Sequence, residues 1–270
     1  MNHFTLSRLS RIFLSAFGVC MCVFMILPLL AVVPISFSSG NFLSYPMPGF
    51  SVKWYEKIFS DGPWMKALAT SLIVGVSATA LATVLGTLAA LAFARKNLPC
   101  ASTTLALLIS PMIIPPVISG LGMYFLFGAL GLTGTVTGLV IAHTILATPF
   151  VLISVAASLQ GFDMTLLRAA AMSGAAPSRA FANIALPIIA PGVISGALFA
   201  FMTSFDEIVV VLFIGGPSQR TLPRQMFDGL RDTIDPSIVA MSSFLLLIGL
   251  AGLLSTIWLS HRTHKVLASA

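Results

Sequence analysis

The stretch LLRAAAMSGAAPSRAFANIALP, residues 166–187, interrupts a chain that is otherwise built largely from long apolar runs. It carries two arginines, one glycine and two prolines, and it has too little apolar length to cross a membrane. Its first residues are nevertheless good helix formers. The stretch therefore predicts a small helical element that faces water between two membrane-spanning segments.

The composition of the whole chain places it in a lipid bilayer. Of its 270 residues, 57% are hydrophobic and 8% are charged, whereas a soluble domain has about a quarter charged residues. The formal net charge of +6 is scattered along the chain, and basic residues at the ends of spans explain it without nucleic acid as a partner. Cys20, Cys22 and Cys100 match neither a zinc site nor a disulfide framework, so we expect packing residues.

Runs of about 20 apolar residues predict membrane helices, here within one transmembrane domain covering residues 1–270. The first run follows Arg8 and Arg11 and is longer than the core of a signal peptide, so we expect a retained span. The segment SPMIIPPVISG, residues 110–120, predicts a bent third span, either beside a pathway or as a packing kink. We predict six spans, near 12–36, 67–93, 103–130, 136–158, 189–213 and 237–260.

The basic residues predict the orientation of these spans, because Lys and Arg accumulate on the cytoplasmic side. Six spans place both termini and the loop 159–188 on one side. Asp163 is the only acid expected there, whereas acids balance the basic residues on the opposite side. We therefore expect the cytoplasmic side to carry Arg8, Arg11, Arg95, Lys96, Arg168, Arg179, Arg262 and Lys265.

The cytoplasmic loop opens with residues that favour a short helix. Asp163 is able to cap a helix that begins at Met164, because its side chain accepts bonds from the free N–H groups of a first turn. Met164, Leu167 and Ala171 share one face of that helix, and Ala170 lies beside them.

A corner and a second short helix are predicted to follow. Gly174 occupies the position of a left-handed helix end, and Pro177 suits the first turn of another helix that ends before Pro187. The pair is either a surface onto which another protein docks or an ordinary pair of interfacial helices.

Sequence motifs for self-contained catalysis are absent. No lysine follows a glycine, so the chain has no Walker A phosphate loop. There is no G-x-S-x-G nucleophile elbow, and no H-E-x-x-H metal site is formed by His3, His143, His261 or His264. These absences count against an enzyme and leave a channel, a secondary transporter or one subunit of a powered machine.

The stretch RAAAMSGAAPSRAFANIALP resembles the EAA loop of permease subunits in binding-protein-dependent ABC importers. The residues in register with that motif are Ala169, Ala170, Gly174, Ala175, Phe181, Ile184, Leu186 and Pro187. Two residues depart from it: Arg168 stands where the family usually has glutamate, and Ala176 replaces a serine that often caps the second helix.

The resemblance implies an all-α membrane protein with six transmembrane helices, the type I ABC importer permease (MetI-like) fold and a cytoplasmic coupling helix around residues 164–175. That helix would sit in a cleft of a cytosolic ATPase, and Arg168 leaves open the polar contacts that the usual glutamate makes. The implied ATPase-coupling residues are Leu167, Arg168, Ala169, Ala170, Gly174, Ala175, Pro177 and Phe181.

The same resemblance implies the partners and the location of the chain. A second homologous permease subunit, two cytosolic ATPase subunits and a periplasmic solute-binding protein are expected, in the lipid of a bacterial inner membrane. The chain itself would be non-catalytic and bind no cofactor, because ATP and Mg²⁺ belong to the ATPases.

Further stretches extend the resemblance to most of the chain, including GFSVKWYEKIF at 49–59 and HTILATPFVLISVAASLQGFD at 143–163. SFDEIVVVLFIGGPSQRTLP at 204–223 and DPSIVAMSSF at 235–244 are most similar to the spermidine/putrescine permease branch, second-subunit type. A polyamine or related small organic cation is therefore the expected solute, and an amino-acid derivative is the alternative.

Four residues in predicted spans are candidates for the substrate pathway: Asp206, Glu207, Ser204 and His143. Acids inside a span are costly and usually face a cavity or a partner. Because neighbouring helix positions differ by about 100°, Asp206 and Glu207 point in different directions, and we favour Asp206 for the pathway. The alternatives are structural roles, or proton coupling through Asp206, Glu207 and His143 in a self-sufficient secondary transporter.

Overall fold

The computed structural model describes residues 8–60, 62–94, 98–163 and 165–268, with the backbone alone at 8, 9, 253 and 255–268. These residues form helices joined by turns, and an isolated antiparallel bridge joins Ser38 to Phe50. In chain order the helices are α1 (Arg8–Ser36), α2 (Lys53–Phe59), α3 (Pro63–Phe93), α4 (Ala101–Ile113), α5 (Pro116–Ala129), α6 (Val136–Gln160), α7 (Thr165–Met172), α8 (Pro177–Ala180), α9 (Leu186–Asp206), α10 (Val209–Ile214), α11 (Leu222–Asp232) and α12 (Ser237–Ala268).

The chain divides into two units: a terminal unit of residues 1–62 with 228–270, and a central unit of residues 63–227. In the terminal unit, α12 packs against both α1 and α2. Trp54 of α2 donates its indole N–H to the carbonyl of Ser38 at 2.9 Å, and the ammonium groups of Lys53 and Lys57 lie 4.9 and 5.1 Å from the centre of its ring. The indole hydrogen bond ties α2 to the residues that follow α1.

An ion pair joins α2 to the start of α12 in the same unit. The Lys57 Nζ atom lies 2.6 Å from Oδ2 of Asp235, and Oδ1 of Asp235 accepts a bond from the Ser237 N–H. Partial burial opposes ionisation of Asp235, but the hydrogen bonds from Lys57 and Ser237 outweigh it, and the pKa of this carboxyl is lowered. The ionised form therefore stabilises the folded terminal unit.

The central unit is built around α3, α6 and α9, which pack closely in pairs. A Cβ added to Gly196 of α9 would lie 2.9 Å from the Cα of Val151 in α6, and one added to Gly86 of α3 would lie 2.7 Å from the Cβ of Val151. One turn before Gly196 in α9, Gly192 lies directly against Ser158 of α6. Glycines thus let three helix backbones approach, as they do in membrane bundles.

The long apolar helices of the described ranges correspond to most of the six predicted spans. In the described ranges, four are long and apolar enough to cross a membrane, or five if a bent pair counts as one span. The last predicted span lies on α12, whose part Ser237–Gly252 is apolar and whose side chains further on lie largely outside the described ranges. The predicted number of six is not reached by this count, whereas the all-helical class is confirmed. The four long helices are Ser10–Ser36, Pro63–Phe93, Val136–Gln160 and Pro177–Asp206.

The third predicted span, 103–130, is broken rather than bent. Helices α4 and α5 meet at 106°, and Ile114 and Pro115 between them are extended, with ψ of 132° and 134°. The cause is the pair Pro115–Pro116, since a residue that precedes proline avoids the helical region. One proline in α4 is compensated locally, because Ser110 Oγ donates to the Leu107 carbonyl that Pro111 cannot serve.

The second helix of the cytoplasmic loop does not end before Pro187, so that prediction is wrong. Helix α8 continues through a π turn, Phe181–Ala185, directly into α9. The N–H of Leu186 bonds to the carbonyl of Phe181 across this wider turn. The π turn accommodates Pro187, which lacks an N–H and would otherwise crowd the carbonyl four residues earlier.

Some predictions fall on residues outside the described set, and others are corrected. The helix start at Met164 and the basic residues Arg95 and Lys96 lie outside it, as do the side chains of Arg8, Arg262 and Lys265. The free thiols of Cys20, Cys22 and Cys100 are exposed, so the packing role expected for them is wrong for this chain.

We expect Asp235→Asn to lower the melting temperature of the purified protein by about 2 °C at pH 7, since it removes a partly exposed ion pair. The pKa of Asp235 is depressed in the folded state, so its contribution is present above the unfolded pKa of about 3.9 and is lost as the pH falls through the folded value. The difference between variant and parent should therefore shrink below about pH 4. Asp232→Asn is the control, because Asp232 pairs with Arg231 at an exposed position; an equal loss in both variants would contradict the assignment.

Candidate functional site

The helix α7 has a defined beginning. Oδ1 of Asp163 accepts a hydrogen bond from the N–H of Thr165 at 2.9 Å, so the predicted cap is confirmed. Bonds from Thr165, together with the charge of Arg168, lower the pKa of Asp163. The carboxylate thus stays ionised at the positive end of the helix.

The end of α7 is fixed by the corner at Gly174. The Gly174 N–H bonds to the Ala171 carbonyl, and the Ala175 N–H bonds to the Ala170 carbonyl, both at 3.0 Å. This pair of bonds is a Schellman motif, and Gly174 has the φ of +80° that the motif requires. No atom lies within 4 Å of a Cβ added to Gly174, so backbone conformation rather than space demands glycine here.

The predicted ATPase-coupling residues divide into two groups according to exposure. Arg168, Ala169, Gly174 and Pro177 are exposed, whereas Leu167, Ala170, Ala175 and Phe181 are half-buried against the rest of the central unit. Sequence reasoning missed two exposed apolar residues of α7: Leu166 and Met172, of which Met172 is 91% exposed. The spacing of Leu166, Ala169 and Met172 along one side of the helix was the available signal.

A cavity of about 270 Å³ lies behind the half-buried face of α7. Its lining is mainly apolar and comes from the ends of α3 and α6, from α7 and from the π turn. Helix α7 contacts α8 and the π turn, and its half-buried face borders this cavity. The residues that line the cavity are Leu91, Ala94, Leu159, Phe162, Leu167, Ala171, Ala175, Pro177, Ala180, Phe181 and Ala185.

The second candidate region lies where α9 is interrupted, within the predicted span 189–213. Helix α9 ends at Asp206, Glu207 is extended with ψ of 120°, and α10 begins at Val209. Oε1 of Glu207 accepts a bond from the Val210 N–H at 2.8 Å. Glu207 thus satisfies a free donor in the first turn of α10.

Asp206 is placed differently from its neighbour. It is exposed, and together with Met202, Thr203, Phe205 and Glu207 it lines an open cavity of about 570 Å³. Within the described part of the chain, the structure shows no hydrogen bond or ion pair to its carboxylate. The two acids differ because α9 is interrupted between them and α10. Glu207 accepts a hydrogen bond from the backbone of α10, whereas the carboxylate of Asp206 is available to a ligand.

The far end of α10 is held by a residue that sequence reasoning missed. Nη1 of Arg224 donates to the carbonyls of Val211 and Gly215 at 3.0 and 2.7 Å. The Gly134 N–H donates to the carbonyl of Ile214 at 2.8 Å. A cation at the negative end of a helix is favourable, and no local spacing in the sequence indicates this contact between separate elements.

The two remaining pathway candidates meet each other in the helix core. Nδ1 of His143 in α6 lies 2.8 Å from Oγ of Ser204 in α9, and the two residues are 1% and 5% exposed. Neither lines the cavity beside Asp206. The described residues also contain no group of three or more His, Cys, Asp or Glu side chains arranged to hold a metal ion.

Comparison with known proteins agrees with these features. Residues 82–265 match the family described as binding-protein-dependent transport system inner membrane component. The chain is 33% identical over 241 residues to the putrescine transport system permease protein PotI of Escherichia coli K12, covering 86% of this chain and 85% of that protein. It is 30% identical over 245 residues to the spermidine/putrescine transport system permease protein PotC of Haemophilus influenzae, covering 90% and 95%.

Among solved structures, the chain resembles a bacterial ABC transporter involved in the import of the acidic polysaccharide alginate. The TM-score is 0.70 at 15% identity, with 94% of this chain and 98% of that chain covered. At this identity the likeness carries the fold alone. The predicted permease fold and the resemblance that led to it are both confirmed.

We expect Gly174→Val to disorder the end of α7, because a β-branched residue at φ of +80° is strained by about 1–3 kcal/mol. Gly174→Asn should be tolerated far better, since asparagine adopts this conformation readily. Hydrogen exchange at the backbone of residues 165–176 measures the effect. Gly128→Val is the control at an equally open helical glycine with ordinary φ; equal exchange in both valine variants would contradict a conformational role.

Proposed function

Because this chain belongs to the family of binding-protein-dependent transport system inner membrane components, we propose that it forms half of the translocation pathway of an ATP-driven polyamine importer. It is a multi-pass inner membrane permease subunit. Putrescine, spermidine or a related small organic cation is the proposed solute, as in the names of the two relatives.

The proposed partners are a second, homologous permease subunit, two cytosolic ATPases that bind ATP and Mg²⁺, and a periplasmic solute-binding protein. The observation that carries the coupling to ATPases is the exposed face of α7. Leu166, Ala169 and Met172 are exposed there between a capped start and a Schellman end. A short, rigid helix with small and apolar exposed residues suits a groove of another protein.

The orientation of the chain is proposed on its charges. Arg168 and Arg179 are exposed on the loop between α6 and α9, and basic loops remain in the cytoplasm. Both termini would lie on the same side, in contact with the cytoplasmic surface of the lipid. Arg168 replaces the acid that the family usually carries, so an acidic residue of the ATPase is its expected partner.

A cationic solute is supported by the electrostatics of the cavity beside Asp206. An exposed carboxylate without an ion pair in the described chain attracts an ammonium group. A neutral solute would gain a hydrogen bond at most, without the attraction between opposite charges. The structure thus favours a cation over an uncharged solute for this pathway.

Proton coupling through three side chains is less consistent with the geometry. His143 bonds to Ser204, and Glu207 bonds to the backbone of Val210. No described hydrogen bond connects either of them to Asp206. The family of binding-protein-dependent transport components supports the ATP-driven importer as the mechanism.

We expect the chain to copurify with an ATPase, and uptake of labelled putrescine into vesicles carrying the complex to require ATP and the binding protein. Vesicles with a proton gradient but no ATP are the control. Uptake driven by the gradient alone would overturn the proposed mechanism.

We expect Asp206→Asn to raise the apparent KM for putrescine about tenfold, the value of one charge-assisted contact, while assembly is unchanged. Glu207→Gln is the matched control, because its amide oxygen still accepts the bond from the Val210 N–H. An unchanged KM in the Asp206 variant would remove this residue from the pathway.

A further inference from the structure

We infer that His143 and Ser204 are a positioning pair whose hydrogen bond keeps α6 and α9 in fixed register, so that movement of α7 reaches Asp206. The inference rests on the proposed function, because it concerns how an ATPase docked at α7 acts on the substrate pathway. Neither residue is required to touch the solute.

The helices α6 and α9 form an antiparallel hairpin, and the loop that contains α7 is its connection. Gly192 lies against Ser158, Gly196 lies against Val151, and Ser204 bonds to His143. As the residue number rises along α9, the residue number of its contact partner in α6 falls, so the two helices run antiparallel in this register. His143 is about 25 Å along α6 from Gln160, where the loop begins.

Helices α6 and α9 make different kinds of contact with each other at the two ends of the hairpin. Near the loop, glycines bring α9 close to α6 without a side-chain hydrogen bond between the described residues of the two helices, which permits small sliding movements. At the far end, the His143–Ser204 contact is the only side-chain hydrogen bond between the described residues of α6 and α9. A hydrogen bond has a narrow range of distance and angle, so it resists sliding where the glycine contacts do not.

Burial makes the bond costly to break. Nε2 of His143 has no hydrogen-bond partner among the described residues, so Nδ1 is the imidazole's one polar contact. A buried acceptor without a partner is tolerated better than a buried N–H without one. The favoured tautomer therefore has Nδ1–H donating to Ser204 Oγ, and loss of Ser204 would leave that N–H unpaired.

The position of Ser204 connects this bond to the pathway. Ser204 and Asp206 are two residues apart, about 200° around the helix, so one faces α6 while the other faces the open cavity. Phe201 packs at Gly75 of α3, where an added Cβ would lie 3.2 Å from its ring. The last turn of α9 is thus held from two helices immediately before the break at Glu207.

A hairpin pinned in this way moves as one body. When α7 is displaced, its connections pull on the end of α6 and the start of α9 together. With the His143–Ser204 bond intact, the displacement is carried to Asp206. Without it, the two helices slide at the glycine contacts and the displacement is absorbed before it reaches the break.

The test uses the complete complex in vesicles and measures two quantities: putrescine taken up per ATP hydrolysed, and the apparent KM for putrescine. We expect Ser204→Val to lower uptake per ATP about fivefold, the effect of one lost hydrogen bond. Ser204→Thr should retain it, because threonine has the shape of valine and keeps the hydroxyl. Ser195→Ala is the control on the same helix, since Ser195 bonds to its own Gly192 carbonyl.

A double-mutant cycle then identifies the pair. His143→Ala should lower uptake per ATP to a similar extent, and adding Ser204→Val to it should cause little further loss. His143→Asn should rescue part of the loss, because its amide is able to replace Nδ1–H as a donor. Equal values for the Ser204→Val and Ser204→Thr variants, or additive losses, would overturn the inference. ATP-dependent uptake by the unaltered complex is measured first, so failure of the proposed function is seen separately.

Discussion

The need to satisfy backbone hydrogen bonds away from water governs the irregular parts of this permease subunit. Three interruptions of long apolar helices are accommodated by local contacts or local geometry. Ser110 donates a hydrogen bond to the carbonyl that Pro111 cannot bond. The π turn at Phe181–Ala185 accommodates Pro187, and Glu207 accepts a hydrogen bond from the first turn of α10. The break after Asp206 persists because both ends of α10 are held in this way.

The two candidate regions are parts of one structural element, the α6–α9 hairpin. Its connection carries α7, and its open end carries Asp206. Close contacts at Gly192 and Gly196 bring the helix backbones together, while a buried polar contact fixes their register. The half-buried face of α7 borders a cavity of about 270 Å³, so α7 is less firmly packed than the hairpin that it would move.

Prediction from sequence succeeded where local chemistry decides the outcome. Asp163 as a cap and Gly174 as a left-handed corner follow from side-chain and backbone preferences over a few residues. The prediction failed at prolines that a helix is able to accommodate in more than one way. Pro187 was expected to follow a helix end, and the structure continues through a π turn; Pro115 and Pro116 were expected to bend a span, and they break it.

The sequence by itself determined the membrane location, the helical class and the family, because composition and the register of the loop at 169–187 need no knowledge of packing. Only the tertiary structure decided the roles of the polar residues inside the predicted spans. Ser204 and His143 are 61 positions apart, and Arg224 reaches back 13 residues to a carbonyl of α10. Such contacts depend on which helix faces which, and this is set by close packing at glycines rather than by any pattern within one segment.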